Sequence, residues 1–106
     1  MPRIVTFSED PTILTCSGDE DRATQSLRRP ALSRALASNR DLLVDLTELS
    51  FADASLMVDL AMVARRLRQA GSRMTLRGAQ PHIRRLIELV GLDRLPGVAA
   101  EWAALA

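Results

Sequence analysis

Residues 42–77 read LLVDLTELSFADASLMVDLAMVARRLRQAGSRMTLR, and this stretch decides the fold. The run at 42–46 is apolar except for Asp45, which predicts a short central strand covered on both faces. A helix of about sixteen residues is predicted to begin at Ser55, and a further strand is predicted at 74–76. A helix of that length fits a right-handed crossover between two parallel strands.

The segment before this stretch predicts two strands and a helix. Strands are expected at 3–7 and 12–17, separated by a Ser-Glu-Asp-Pro turn, with Gly18 closing the second strand. A helical face then carries Leu27, Ala31, Leu32, Ala35 and Leu36. Pro30 interrupts this pattern, so the helix either starts near Pro30 or is kinked there.

The segment after it predicts one more helix and a short terminal element. Pro81 opens this helix, where its missing N–H is tolerated, and Gly91 closes it. The stripe expected to be buried is Ile83, Leu86, Ile87 and Val90. Residues 98–106 predict a short strand or helix. The whole pattern predicts one α/β domain, 1–106, with a small mixed sheet of four to five strands flanked by helices.

Composition limits the class of protein. The chain has 106 residues, of which 47% are hydrophobic and 25% are charged, as in ordinary globular domains. Neither a signal peptide nor a membrane span is recognisable, so we expect a cytoplasmic protein without membrane insertion. A formal net charge of +1 gives no indication of nucleic acid binding.

Several kinds of chemistry are excluded or weakly supported. All fourteen basic residues are arginine, so Schiff-base and P-loop lysines are absent. The single cysteine, Cys16, is expected to be a buried thiol. His82 has no second histidine or cysteine with which to bind a metal, and we predict neither a metal nor a cofactor. The arginine groups are expected to be solvated: Arg28 with Arg29, Arg65 with Arg66 and Arg68, and Arg84 with Arg85. The chain is therefore not expected to be an enzyme.

The predicted helix at 55–69 has two different faces at 100° per residue. The face expected to pack on the sheet carries Leu56, Leu60, Val63, Ala64 and Leu67. The opposite face, which we call the docking stripe, carries Ser55, Val58, Met62, Arg66 and Gln69, with Asp59 and Arg65 at its flanks. Apolar residues in line with Ser55 predict a partner-binding surface with a charged rim. The alternative is that they are ordinary scattered exposed residues.

These motifs resemble the STAS domain, which is shared by anti-sigma factor antagonists and sulfate transporter tails. The matching segments, over roughly 4–95, are LLVDLTEL, FADAS, the long helix, AGSRMTL and IRRLIELVGLDRL. Gly18 and Asp21 also match the ends of a Gly-Glu-Leu-Asp sequence that is common in the family, and the resemblance makes Asp21 a partner-binding candidate. The resemblance implies the same α/β fold.

The resemblance also implies a phosphorylation site. The loop of the antagonists usually reads Asp-Ser-Ser-Gly, and when it is aligned on Asp53 the phosphorylated serine falls on Ser55. Here Ala54 replaces the first serine and Leu56 replaces the glycine, which changes the backbone freedom and bulk beside the hydroxyl. From the residues alone, Ser55 is a helix cap, and Asp53 is either the N-cap or a charge that positions the metal ion of a docked kinase.

The implied function is that of an anti-sigma factor antagonist in a partner-switching cycle that regulates transcription. The implied partners are an anti-sigma factor, which is a serine kinase of the histidine-kinase-like ATPase type, and a serine phosphatase. The oligomeric state, including a homodimer, stays open. The partner-binding residues are predicted to be Asp21, Asp53, Ser55, Val58, Asp59, Met62 and Arg66.

Two alternative functions also fit the sequence. One is a constitutive STAS scaffold or transporter-associated subunit that docks on an ATPase or larger assembly without a phospho-switch. The other is a small nucleotide-binding or hydrolytic domain with Asp45 in a cleft at a strand end.

Overall fold

The computed structural model describes residues 5–9, 12–20 and 24–102. Its elements, in chain order, are β1 (Val5–Glu9), β2 (Thr12–Glu20), α1 (Gln25–Ser38), β3 (Leu42–Ala52), α2 (Ala54–Gln69), β4 (Met74–Arg77), α3 (Pro81–Val90), a short 3₁₀ helix (Leu92–Arg94) and β5 (Val98–Glu101). The five strands described form one sheet in sequence order. Only β1 and β2 pair in antiparallel fashion, and the other pairs are parallel. The predicted mixed sheet of four to five strands flanked by helices is confirmed.

The central strand β3 is longer than the predicted strand at 42–46. It has 11 residues, so Asp45 lies inside the strand and not at its end. Its first residues alternate between buried and half-buried, so one face is fully covered and the other is covered only in part. The buried positions then become three residues apart, at Leu46, Leu49 and Ala52.

Two irregularities in the pairing of β2 with β3 explain this change of spacing. The register partners are Thr15 with Asp45, Ser17 with Glu48, Gly18 with Leu49, and Asp19 with Phe51. Between the first two pairs, and again between the last two, β3 contains one more residue than β2, which is the geometry of a β-bulge. Each bulge shifts the alternation of side chains by one position, so a pattern of period two does not identify the second half of β3.

The ends of the first two strands also differ from prediction. Gly18 does not close β2, because the strand continues to Glu20; with φ of +71° Gly18 lies beside a bulge. A glycine inside a strand often marks a bulge, since it adopts positive φ without strain. β1 continues to Glu9, two residues beyond its predicted end at Phe7 and into the predicted turn that should have begun at Ser8. The other predicted residues of these segments, 3–4 and 10–11, lie outside the described residues.

Helix α1 passes through Pro30 without ending. It begins at Gln25, so of the two alternatives for Pro30 the one in which the helix starts near it is wrong. Pro30 is the sixth residue of α1, so its missing N–H removes the one helical hydrogen bond that would go to the carbonyl of Ser26 in the first turn. The helix ends at Ser38, and the C-cap residue Asn39 has a left-handed backbone with φ of +56°.

The crossover helix and the next helix agree closely with prediction. α2 has 16 residues, and the β4 strand that follows it is parallel to β3. Its predicted buried residues are confirmed, and Met57 joins them. α3 begins at Pro81 and ends before Gly91, as predicted.

The remaining packing predictions are mostly confirmed. Cys16 is fully buried. On α3, Ile83 and Ile87 are buried, but Val90 is 49% exposed, so its assignment to the buried stripe is wrong. The predicted final element is the strand β5, and residues 103–106 lie outside the described residues.

Candidate functional site

The start of α2 is fixed by the side chain of Asp53. Its backbone is extended, and its Oδ1 accepts a hydrogen bond from the Ser55 N–H at 2.9 Å, which is the geometry of an N-cap. The capping role predicted for Asp53 is confirmed. α2 therefore begins at Ala54, which is exposed, and Leu56 is fully buried in the core. The Leu56 side chain, which stands where the Asp-Ser-Ser-Gly loop has glycine, thus points away from the surface that carries the Ser55 hydroxyl.

The hydroxyl of Ser55 is held on two sides. It donates a hydrogen bond to Asp53 Oδ1 at 2.6 Å, and it accepts one from Arg28 Nη2 at 3.0 Å. The residue is half-buried, so the hydroxyl lies at the edge of the surface. Its proton is directed at a carboxylate and a lone pair is directed at a guanidinium, so the position of the oxygen is well defined.

Arg28 reaches this site from α1, and its predicted solvation is wrong. Its side chain has 0% exposure, and its Nε donates to Asp59 Oδ2 at 2.9 Å. A signal for this was present, because Arg28 precedes Ala31, Leu32 and Ala35 at helical spacing, and those three residues are buried. A charged residue on the apolar face of a helix requires a buried partner. The neighbouring Arg29 is exposed, as predicted.

Asp59 also occupies a different environment from the one predicted. It is only 8% exposed and pairs with Arg28, so it is not part of an exposed charged rim. Asp59 lies one helical turn after Ser55, which allows one guanidinium to contact both side chains. The two helices are joined here by a polar network of Asp53, Ser55, Arg28 and Asp59, which we call the α1–α2 polar cluster.

The rest of the docking stripe is exposed. Val58 is 63% exposed and Met62 is 44% exposed, and Arg66 and Gln69 continue the same face into solvent. Asp21, the remaining predicted partner-binding residue, lies outside the described residues. The structure therefore places Ser55 at one end of a mixed apolar and basic surface.

Grooves border this stripe on both sides. An apolar groove of about 160 Å³ separates α2 from the end of α3 and is lined by Ala54, Met57, Val58, Ala61, Val90, Gly91, Leu92 and Leu95. A second groove, of about 210 Å³, lies between α1 and α2; Asp59 and Met62 are among its lining residues. Sequence patterns gave no indication of either groove, because each is formed by two separate helices.

The other sequence candidates form no site together. Oδ1 of Asp45 accepts hydrogen bonds from the N–H of Thr47 at 3.0 Å and from its Oγ1 at 2.7 Å, which stabilises the first bulge of β3. This removes the basis for a cleft at a strand end. His82 is exposed, and its Nε2 contacts the carbonyl oxygen of Ser50.

No three histidine, cysteine or acidic side chains converge as metal ligands among the residues that the structure describes. Within the same ranges, no helix has the length and apolar character required to cross a bilayer.

The comparison with protein families identifies the fold. The model of the family described as "Mlab, STAS domain" matches residues 5–97. The chain belongs to the STAS domain family. None of the curated proteins matches it in sequence.

Solved STAS structures agree with this assignment. A Thermotoga maritima protein, provisionally described as an anti-sigma factor antagonist, has a TM-score of 0.70 and 13% identity over 90% of this chain and 83% of its own. The anti-sigma factor antagonist SpoIIAA in its unphosphorylated form gives 0.65 and 19%, over 88% of this chain and 80% of its own. Phosphorylated SpoIIAA, a Bacillus cell fate determinant, gives 0.63 and 21%, over 84% and 80%. At these identities the likeness is one of fold.

Proposed function

We propose that this STAS domain is a cytoplasmic anti-sigma factor antagonist, a binding protein and not an enzyme. In its unphosphorylated form, the docking stripe binds an anti-sigma factor and so releases a sigma factor. Phosphorylation of Ser55 by that anti-sigma factor ends the interaction, and a serine phosphatase restores it. ATP belongs to the kinase partner. The observation that carries the proposal is the Ser55 hydroxyl, which lies at the surface end of the docking stripe with its proton directed to Asp53 at 2.6 Å.

The charge of a phosphoryl group gives this switch its physical basis. Phosphoserine carries close to two negative charges at neutral pH, and here it would lie beside Asp53 and next to exposed Val58. A partner surface fitted to a neutral serine offers no counter-charge of its own to that anion and would have to remove its water. A penalty of ~3 kcal/mol weakens binding by more than a hundredfold, which is enough for a switch.

The fold should survive this change. The phosphoryl group would be attached at the second residue of α2, where the helix dipole stabilises a negative charge by up to ~1 kcal/mol. Phosphorylation is therefore expected to act on the interface and not on folding. The solved phosphorylated form of SpoIIAA shows that a protein of this fold is compatible with the modification.

A second function is favoured by a different observation. The α2–α3 groove is apolar and includes exposed Val58 and Val90, and Ser55 is not among the residues that line it. This supports a STAS scaffold or transporter-associated subunit that docks constitutively on an ATPase or larger assembly. In that case the bonds of Ser55 to Asp53 and Arg28 are structural.

One pull-down experiment separates the two functions. Wild-type protein, Ser55→Asp and Ser50→Asp are used to capture partners from native cytoplasm, and bound proteins are identified by mass spectrometry. Ser50→Asp is the matched control, because it makes the same substitution at an exposed serine of β3 that is outside the docking stripe and both grooves. Capture of a histidine-kinase-like anti-sigma factor by wild type and Ser50→Asp, but not by Ser55→Asp, supports the switch. Capture of the same non-kinase partner by all three supports constitutive docking.

A further inference from the structure

We propose that Arg28 is the residue that binds the phosphoryl group on Ser55. The inference rests on the proposed phosphorylation of Ser55 and names the side chain that pairs with the charge of the phosphoryl group. Arg28 lies on a different helix, 27 positions earlier in the chain, and nothing in the sequence around Ser55 identifies it.

The guanidinium is already in place. Nη2 of Arg28 lies 3.0 Å from the oxygen to which the phosphorus would be attached, so an oxygen of a phosphoryl group there falls within reach of the same N–H donors. The side chain is fully buried, and its Nε is held by Asp59 at 2.9 Å. The planar guanidinium suits phosphate, and the Nη2 group that contacts Ser55 Oγ is separate from the Nε–H that binds Asp59, so the bond to Asp59 can persist while Nη2 donates to a phosphoryl oxygen.

Phosphoryl transfer changes the local hydrogen bonds in a defined direction. Transfer from ATP forms an Oγ–P bond, breaks the bond between the γ-phosphorus and the bridging oxygen, and leaves ADP. The hydroxyl proton is released toward Asp53 Oδ1, which already accepts its hydrogen bond. Afterwards Ser55 Oγ has no proton to donate, and once Asp53 has passed the proton to solvent its carboxylate and the phosphoryl group repel each other. The phosphoryl group is therefore expected to turn away from Asp53 and toward Arg28, the cation of the α1–α2 polar cluster.

The consequence is a phosphoserine held against α1. Its charge is shared with a buried guanidinium, and the modified side chain links α1, α2 and Asp59. An arginine next to a phosphate favours the dianion, so the group should carry its full charge at neutral pH. Exposed arginines of the docking stripe, such as Arg66, are several helical turns away and do not substitute for Arg28.

The test uses protein with phosphoserine inserted at position 55 during synthesis, so no kinase is required. Titration followed by ³¹P NMR gives the midpoint of the second phosphate ionisation, which is about 6 for a free phosphoserine. We expect wild type to titrate below that value and Arg28→Gln to titrate higher than wild type by about one pH unit or more. Arg29→Gln is the matched control, because it removes the same charge from the adjacent exposed position. Equal midpoints for Arg28→Gln and wild type overturn the proposal.

A second pair of variants keeps the test valid if Arg28→Gln misfolds because Asp59 has lost its counter-charge. Asp59→Asn is compared with Arg28→Gln/Asp59→Asn, both carrying phosphoserine at position 55. These proteins differ only in Arg28, and the double variant has no buried charge at the pair. A higher midpoint in the double variant supports the proposal, and equal midpoints contradict it.

A crystal structure of the phosphorylated wild type decides the question without any variant. Arg28 in hydrogen-bond contact with a phosphoryl oxygen confirms the inference, and a phosphate that points into solvent overturns it. These measurements contain no partner protein. If phosphorylated protein still captures its partner, the proposed switch fails while the role of Arg28 can stand. If Arg28 has no effect on the midpoint, the inference fails alone.

Discussion

Arg28 and Asp59 form an ion pair between α1 and α2, with Nε and Oδ2 2.9 Å apart and a guanidinium that has no exposed surface. A buried charge is costly unless it is paired and hydrogen-bonded, and each member of this pair supplies what the other requires. The pair therefore stabilises the fold chiefly by preventing the burial of an uncompensated charge.

Removal of one member should be strongly destabilising. We expect Arg28→Met to lower the free energy of unfolding by about 3–5 kcal/mol, because Asp59 is left buried and unpaired. Urea denaturation followed by circular dichroism measures the change. Arg29→Met is the control; as an exposed substitution next in the chain, it should stay within ~0.5 kcal/mol of wild type. The double variant Arg28→Met/Asp59→Leu should recover part of the loss, and a loss below ~1 kcal/mol in Arg28→Met would count against this account.

The N-cap of α2 predicts a smaller effect. Asp53→Ala removes the acceptor of the Ser55 N–H and should lower the free energy of unfolding by about 1 kcal/mol. Asp53→Asn keeps a side-chain oxygen at the same position and should be close to wild type in the same denaturation experiment. If both variants lose the same stability, the charge of Asp53 and not its capping bond is responsible.

Sequence patterns predicted α2, β4 and α3 well because their signals are local. A helix reveals its buried face through a spacing of 3.6 residues, as in Leu56, Leu60 and Leu67. Pro81 and Gly91 mark the start and end of α3 through their own backbone preferences. These features are decided within a few residues of chain.

The errors arose where distant segments determine the structure. The second half of β3 was missed because its bulges are defined only by pairing with β2. Arg28 was assigned to solvent because its partners, Ser55 and Asp59, lie 27 and 31 positions later. The docking stripe was predicted correctly as an exposed surface except at Asp59. A sequence pattern does not show whether a charged residue at the edge of such a surface is exposed or is buried in an ion pair.

Gly78 allows a test of the first β3 bulge. A Cβ added at Gly78 would clash with Thr47 Oγ1, which Asp45 holds in place, and φ at Gly78 is +75°. Gly78→Ala therefore combines backbone strain with a steric clash, and we expect a loss of about 2–3 kcal/mol in the free energy of unfolding.

Gly71 supplies the comparison, because its φ is +85° but nothing lies within 4 Å of an added Cβ. Gly71→Ala should lose only about 1 kcal/mol, the strain alone. Adding Thr47→Ala to Gly78→Ala should remove the clash, so the alanine at position 78 should then cost nearly as little free energy of unfolding as Gly71→Ala. If Gly71→Ala and Gly78→Ala lose the same stability in urea denaturation, Thr47 does not constrain this position.

Two valines on α2 separate stability from binding. Val63 is fully buried and Val58 is 63% exposed, so the same substitution on one helix removes two methyl groups from either the core or the docking stripe. Val63→Ala should lower the free energy of unfolding by about 1.5–3 kcal/mol, whereas Val58→Ala should stay within ~0.5 kcal/mol of wild type. In the pull-down, Val58→Ala should recover less partner, because it removes an apolar anchor from both the stripe and the α2–α3 groove. Undiminished recovery by a correctly folded Val58→Ala protein would mean that the partner binds another surface of the domain.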